Sequence, residues 1–245
     1  MSDIISFFII CFLIFIFFNK KNEKNKNNKN NFKKLNKNLK IIENLILITD
    51  NKYCKKNIDN VVDINDECDF IKCYSKINYN EDLNIIIYSE GSLVSSSDAI
   101  VNILLKHKGF INIFIPSICY SGASMIALCG DNIYMNNYSL MSPVDPQISF
   151  IKLKNSKGLK KLSDENIIKY YESKSLYDDN LRNMGKILDN KYSKQIIRKI
   201  KKNFGHGIYP HEKQFNIDEL ENMGMRIISP IPKDIQENFE KFLLT

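Results

Sequence analysis

Three short runs of β-branched and apolar residues constrain this chain most: LILITD at 45–50, NIIIYS at 84–89 and INIFIPS at 111–117. Each reads as a strand. Between the second and third lies SSSDAIVNILLKHKG (95–109), a helical pattern with serine at its N-cap, Asp98 in its first turns, apolar residues at 99/100 and 103/104, and Gly109 as its stop. GASMIALCG (122–130) reads as a short helix ended by Gly130, and NIYM (132–135) as a further strand. Strands alternating with helices of about ten residues predict β-α-β units and a largely parallel α/β sheet. Longer polar-studded helical patterns follow over 164–203, then the turn-rich NFGHGIYPHEKQFN (203–216), a helix near 217–223 and a last strand around 225–229. No internal repeat is visible.

The chain has 245 residues, enough for one good-sized domain and an appendage, and its 44% hydrophobic content supports a packed core. The formal net charge is +7, but residues 19–40, NKKNEKNKNNKNNFKKLNKNLK, hold nine lysines and one glutamate and so supply +8, leaving −1 for everything else. A nearly neutral body argues against a basic groove for nucleic acid. Six cysteines stand at 11, 54, 68, 73, 119 and 129. No second pair or histidine cluster completes a zinc site around Cys68 and Cys73, so the cysteines read as free thiols in a reducing compartment.

Residues 4–18, IISFFIICFLIFIFF, form an apolar run of fifteen residues. As a helix it spans roughly 22 Å at ~1.5 Å per residue, and flanking Lys20 and Lys21 can snorkel to extend its reach. Asp3 precedes the run, a polybasic stretch follows it, and no A-x-A-like cleavage site is present. That pattern reads as an uncleaved signal anchor (1–18), with the Asn/Lys-rich 19–40 as a flexible tether able to meet anionic headgroups and 41–245 as the globular domain. The positive-inside rule then places the body on the cytoplasmic side of a membrane.

Two strand-to-helix junctions can carry chemistry. One is YSEGSLVSSSDA (88–99), with Gly91 and Ser92 in its turn; the other is CYSGASM (119–125), with Ser121 ahead of Gly122. In a parallel sheet both fall at the carboxyl edge, where ligands bind. Backbone amides of a Gly-containing turn and of a helix N-terminus can stabilise a developing oxyanion beside a serine nucleophile. Cys119, two residues earlier on an extended strand, should face away from that turn.

The spelling of residues 84–148 resembles the serine dehydrogenase proteinase family, ClpP/crotonase-fold serine peptidases related to signal peptide peptidase A. The matching features are a strand ending in a Gly turn, a helix ending HKG, a second strand, Ser-Gly-small, IAL…D.I.M and, most specifically, SPVDPQ at 142–147. The resemblance extends more faintly through HGIYP and FNIDELENMGMRI (215–227). It implies a ClpP/crotonase-like body, a serine endopeptidase acting on peptide or protein substrates, homo-oligomers, and no metal or cofactor. It places the nucleophile at Ser121 and the oxyanion-hole amides among Gly91, Ser92, Leu93 and Gly122. The Clp subunit's histidine has no counterpart, since that region reads Asp145-Pro146-Gln147. Lys174, in YYESKSL and 53 residues after Ser121, matches the lysine base of single-domain signal peptide peptidases. Such a base needs burial to bring its pKa down from ~10.4. Asp145 and His206 are auxiliary candidates. The expected function is thus a membrane-anchored serine peptidase with a Ser121–Lys174 dyad. A second reading is a non-catalytic membrane scaffold: Glu90-Gly91-Ser92 stands where the family has Pro-Gly-Gly, and a distorted oxyanion turn would be its signature. Acyl-CoA chemistry of the crotonase kind is a third, opposed by the serine and SPVDPQ.

Overall fold

A computed structural model describes residues 44–49, 61–144 and 164–243. The apolar run 4–18, the tether 19–40 and Asp145 therefore lie outside the described residues. Five parallel strands form the main sheet in the order β1 (Leu45–Thr49), β2 (Leu83–Tyr88), β3 (Ile111–Ile115), β5 (Asn132–Met135) and β7 (Ile227–Ile228). Two short strands, β4 (Ile118–Cys119) and β6 (Leu140–Met141), pair in parallel as a separate ribbon. The helices are α1 (Ile64–Tyr74), α2 (Val94–Leu104), α3 (Gly122–Ala127), α4 (Asp164–Leu188), α5 (Lys194–Ile200), α6 (Ile217–Met223) and α7 (Lys233–Leu243), with a π-helical turn at Lys201–Gly205 after α5. A mixed α/β chain with this parallel sheet fits a ClpP-like fold.

The strand order runs one way across the sheet, so right-handed crossovers put their helices on the same face. The larger core accordingly joins Ile46, Ile48, Ile85, Ile87, Ile113 and Ile115 to Phe70, Ile100, Leu104 and Ile126. The opposite face, carrying Leu45, Leu47, Ile86 and Phe114, would be bare without α7, whose Ile235 and Phe239 cover it together with Ile231. Strands buried on both faces need no polar alternation, hence the unbroken isoleucine runs. At the amino edge Asn132 donates to Asn112 (2.8 Å) and Asn112 to Asn84 (3.1 Å), a ladder across three strands in register.

Two helices escaped the sequence pattern. One is α1, whose N-cap Asp63 and Asp66 form a reciprocal capping box; the other is α7. The serine N-cap expected for α2 is also corrected: its N-cap is Leu93, which has no side-chain capping bond, and Ser96 and Ser97 are buried within the helix. The helix begins on the functional turn itself, so the cap position answers to the turn. The cysteines 68, 73, 119 and 129 are free thiols. Among the described residues no helix is long and apolar enough to cross a membrane.

Candidate active site

Beyond β3 the chain breaks at Pro116-Ser117 and resumes as β4, which runs beside the end of β2: Ser89 N–H donates to Ile118 O (3.2 Å) and Tyr120 N–H to Ser89 O (3.0 Å). This pairing brings the two junctions together. A Cβ built on Gly91 would lie 3.3 Å from Ser121 Cβ and 3.8 Å from its Oγ. A Cβ built on Gly122 would lie only 1.9 Å from Ser92 Oγ, so any larger residue there would push the Ser92 side chain aside.

Ser121 is the N-cap of α3 at φ 51°, ψ −128°. Positive φ in a residue with a side chain stores on the order of 1–3 kcal/mol and persists only where the surroundings impose it. Here they do. Ser121 N–H donates to Ser142 Oγ (2.8 Å), Ser142 N–H to Ser124 Oγ (3.3 Å), and Ser124 Oγ to Cys119 O (2.6 Å). Ser124 and Ser142 are buried, so this chain of hydroxyls is shielded from water. The strained strand-to-helix turn leaves the Ser121 hydroxyl without a hydrogen-bond partner among the described residues, as a nucleophile awaiting substrate requires.

The four amides expected at the oxyanion hole separate into two pairs. Gly91 N–H donates to Ser89 Oγ (3.0 Å), and Leu93 N–H donates to Val62 O (2.9 Å), so both are spent on the fold. The amides of Ser92 and Gly122 have no partner among the described residues, and these two residues are in contact. Two adjacent free donors, one at the N-terminus of α3, can hold a carbonyl oxygen as it gains charge. In the turn that departs from Pro-Gly-Gly, positive φ falls on Gly91 (155°), and Ser92 is not among the positive-φ residues. Glu90 lies near Tyr120, whose hydroxyl is raised in pKa first by burial and then by that carboxylate.

Cys119 is fully buried and its thiol is pushed well above the usual range by desolvation, which removes it as a rival nucleophile. Lys174 lies on an exposed stretch of α4 and pairs with Asp178 at 2.6 Å. Hydrogen bonding and charge from Asp178 hold its pKa above the ordinary lysine value, the opposite of what a lysine base needs. His206 is exposed after the π-helical turn, its Nδ1 2.9 Å from Tyr177 Oη. Both thus hydrogen-bond to α4 side chains, Asp178 and Tyr177. Among the described residues no group of three or more His, Cys, Asp or Glu is placed to hold a metal ion.

Sequence reasoning missed Ser142, Ser124 and Lys191. Ser142 opens SPVDPQ, the motif that marked the family, and its task is visible only once β6 lies beside β4. Lys191 Nζ reaches the other end of α3, donating to the carbonyls of Leu128 (3.4 Å), Cys129 and Gly130 (2.9 Å), with Asp131 3.7 Å away.

A serine on a strained strand-to-helix turn thus lies beside two unspent amides at the carboxyl edge of a parallel sheet. Residues 1–243 match the model of the ClpP-like SDH-type serine proteinases, and the chain belongs to that family. It is 30% identical over 166 residues to an uncharacterized protein of Methanocaldococcus jannaschii, covering 65% of this chain and 56% of that protein. A second uncharacterized protein of the same organism is 22% identical over 187 residues, covering 74% of this chain and 65% of that protein. The chain thus spans less than two thirds of the length of these curated relatives.

Proposed function

We propose that this protein is a membrane-anchored serine peptidase that cleaves peptide bonds through an acyl-enzyme on Ser121. The observation that carries the reading is the placing of Ser121, its hydroxyl without a partner among the described residues, beside a turn whose Ser92 amide, with that of Gly122, is left unpaired. Ser121 Oγ bonds to the substrate carbonyl carbon while the carbonyl π pair moves onto oxygen, between the two amides. The Oγ proton passes to a base and then to the leaving amine as the C–N bond breaks. Water next attacks the ester, releases a carboxylate and restores the serine.

Lys174 is the base in this reading, on the condition that substrate or a second copy in a homo-oligomer strips its solvent and parts it from Asp178. Asp145 and His206 stand as auxiliary groups. The apolar run 4–18 anchors the chain in the membrane, the tether 19–40 follows, and the catalytic body faces the cytoplasm. The exposed Lys174–Asp178 pair favours one competing reading, a non-catalytic membrane scaffold.

The test is a fluorophosphonate probe on the full chain in detergent, with the modified residue mapped by mass spectrometry. Covalent labelling at Ser121, absent from Ser121→Ala, is expected, and Lys174→Ala should slow it at least tenfold if lysine is the base. A folded chain whose Ser121 stays unmodified would leave the scaffold as the working reading.

A further inference from the structure

We propose that the Ser92 hydroxyl is a third, side-chain donor to the oxyanion, added to the two backbone amides. This inference rests on the serine peptidase reading above. Ser92 Oγ is shut away from solvent and has no hydrogen-bond partner among the described residues. A buried hydroxyl in that condition forfeits roughly 1–3 kcal/mol, a cost that a partner gained in some other state would offset. Its surroundings name the partner's place. The hydroxyl lies against Gly122, the residue whose amide is free, and belongs to the residue whose own amide is the other free donor. The nearby Ser97 hydroxyl donates its proton to the carbonyls of Leu93 (3.2 Å) and Val94 (3.0 Å), so it has none to give Ser92. An oxygen held by the Ser92 and Gly122 amides would lie beside the residue that carries this hydroxyl, whose χ1 has staggered alternatives. A hydroxyl unpaired in the free protein and bonded only when charge develops favours the transition state selectively.

The measurement is the rate of fluorophosphonate labelling of the full chain, resolved into probe affinity and limiting rate, for wild type, Ser92→Ala, Ser92→Gly and Ser92→Thr. In this reaction Ser121 Oγ bonds to phosphorus, fluoride leaves with the P–F pair, and the serine proton departs. The phosphoryl oxygen occupies the oxyanion position. Alanine and glycine should each lower the limiting rate about tenfold or more, with probe affinity unchanged and, for alanine, Tm no lower than wild type, while threonine keeps most of the rate. Ser92→Ala or Ser92→Gly reacting as fast as wild type or faster would overturn the inference alone, as would a rate loss that merely tracks a fall in Tm. A wild-type chain that never labels would overturn both this inference and the peptidase reading.

Discussion

The two ends of α3 are finished in opposite ways. At its amino end Ser121 holds a strained φ of 51° and the Gly122 amide has no partner among the described residues. At its carboxyl end a single mostly buried lysine answers three successive carbonyls, from Leu128, Cys129 and Gly130. Every short helix leaves amides unpaired at one end and carbonyls at the other. Saturating one end and leaving the other open separates what holds the helix from what it is for. Lys191 pays for its desolvation with a pKa lowered by burial, partly offset by Asp131. The α3 helix is thereby pinned from behind while its front stays available.

The comparison breaks most visibly at the front. Gly122→Ala sets a Cβ against the Ser92 side chain and displaces it on the turn that carries the free amides, so Ser121 labelling should fall at least tenfold while the chain still folds. Normal labelling in that variant would detach the open end from the chemistry. At the back, Lys191→Met strips three carbonyls of their donor and should destabilise the fold by about 2–4 kcal/mol, read from chemical denaturation. The labelling rate of its folded fraction should change much less than for Gly122→Ala. Ser142→Ala leaves the Ser121 amide unpaired and should lower stability by about 1–2 kcal/mol with a moderate loss of labelling, joining both readouts in one residue.

The smallest effect is in pH. The folded pKa of Lys191 lies below its ordinary value of 10.5, so between the two the unfolded chain binds more protons and stability rises with pH. The stability gap between wild type and Lys191→Met should therefore widen as pH climbs through that window toward 10.5. A gap independent of pH would mean that Lys191 keeps an ordinary pKa.

The open end was more legible in sequence than the closed one. Ser121 and Gly122 sit where an apolar run meets a small-residue helix, and strand-helix alternation alone puts that junction at the carboxyl edge of the sheet. Which amides remain free was not legible. It depends on Val62, whose carbonyl takes the Leu93 amide across a single isolated bridge that no periodicity announces. Lys191 gave no signal either, because a lysine in a polar helix-to-helix segment looks solvated until the chain folds back over Cys129. Lys174 shows the reverse case: its spacing from Ser121 matched a lysine base, yet its immediate neighbour Asp178, one helical turn on, sets its electrostatics. Spacing along a chain locates a group without stating what neutralises it.

The most direct measurement is a structure of the chain phosphonylated at Ser121. The account predicts the phosphonyl oxygen about 2.7–3.1 Å from both the Ser92 and Gly122 amide nitrogens. An oxygen turned to solvent, with those two amides paired elsewhere, would contradict it.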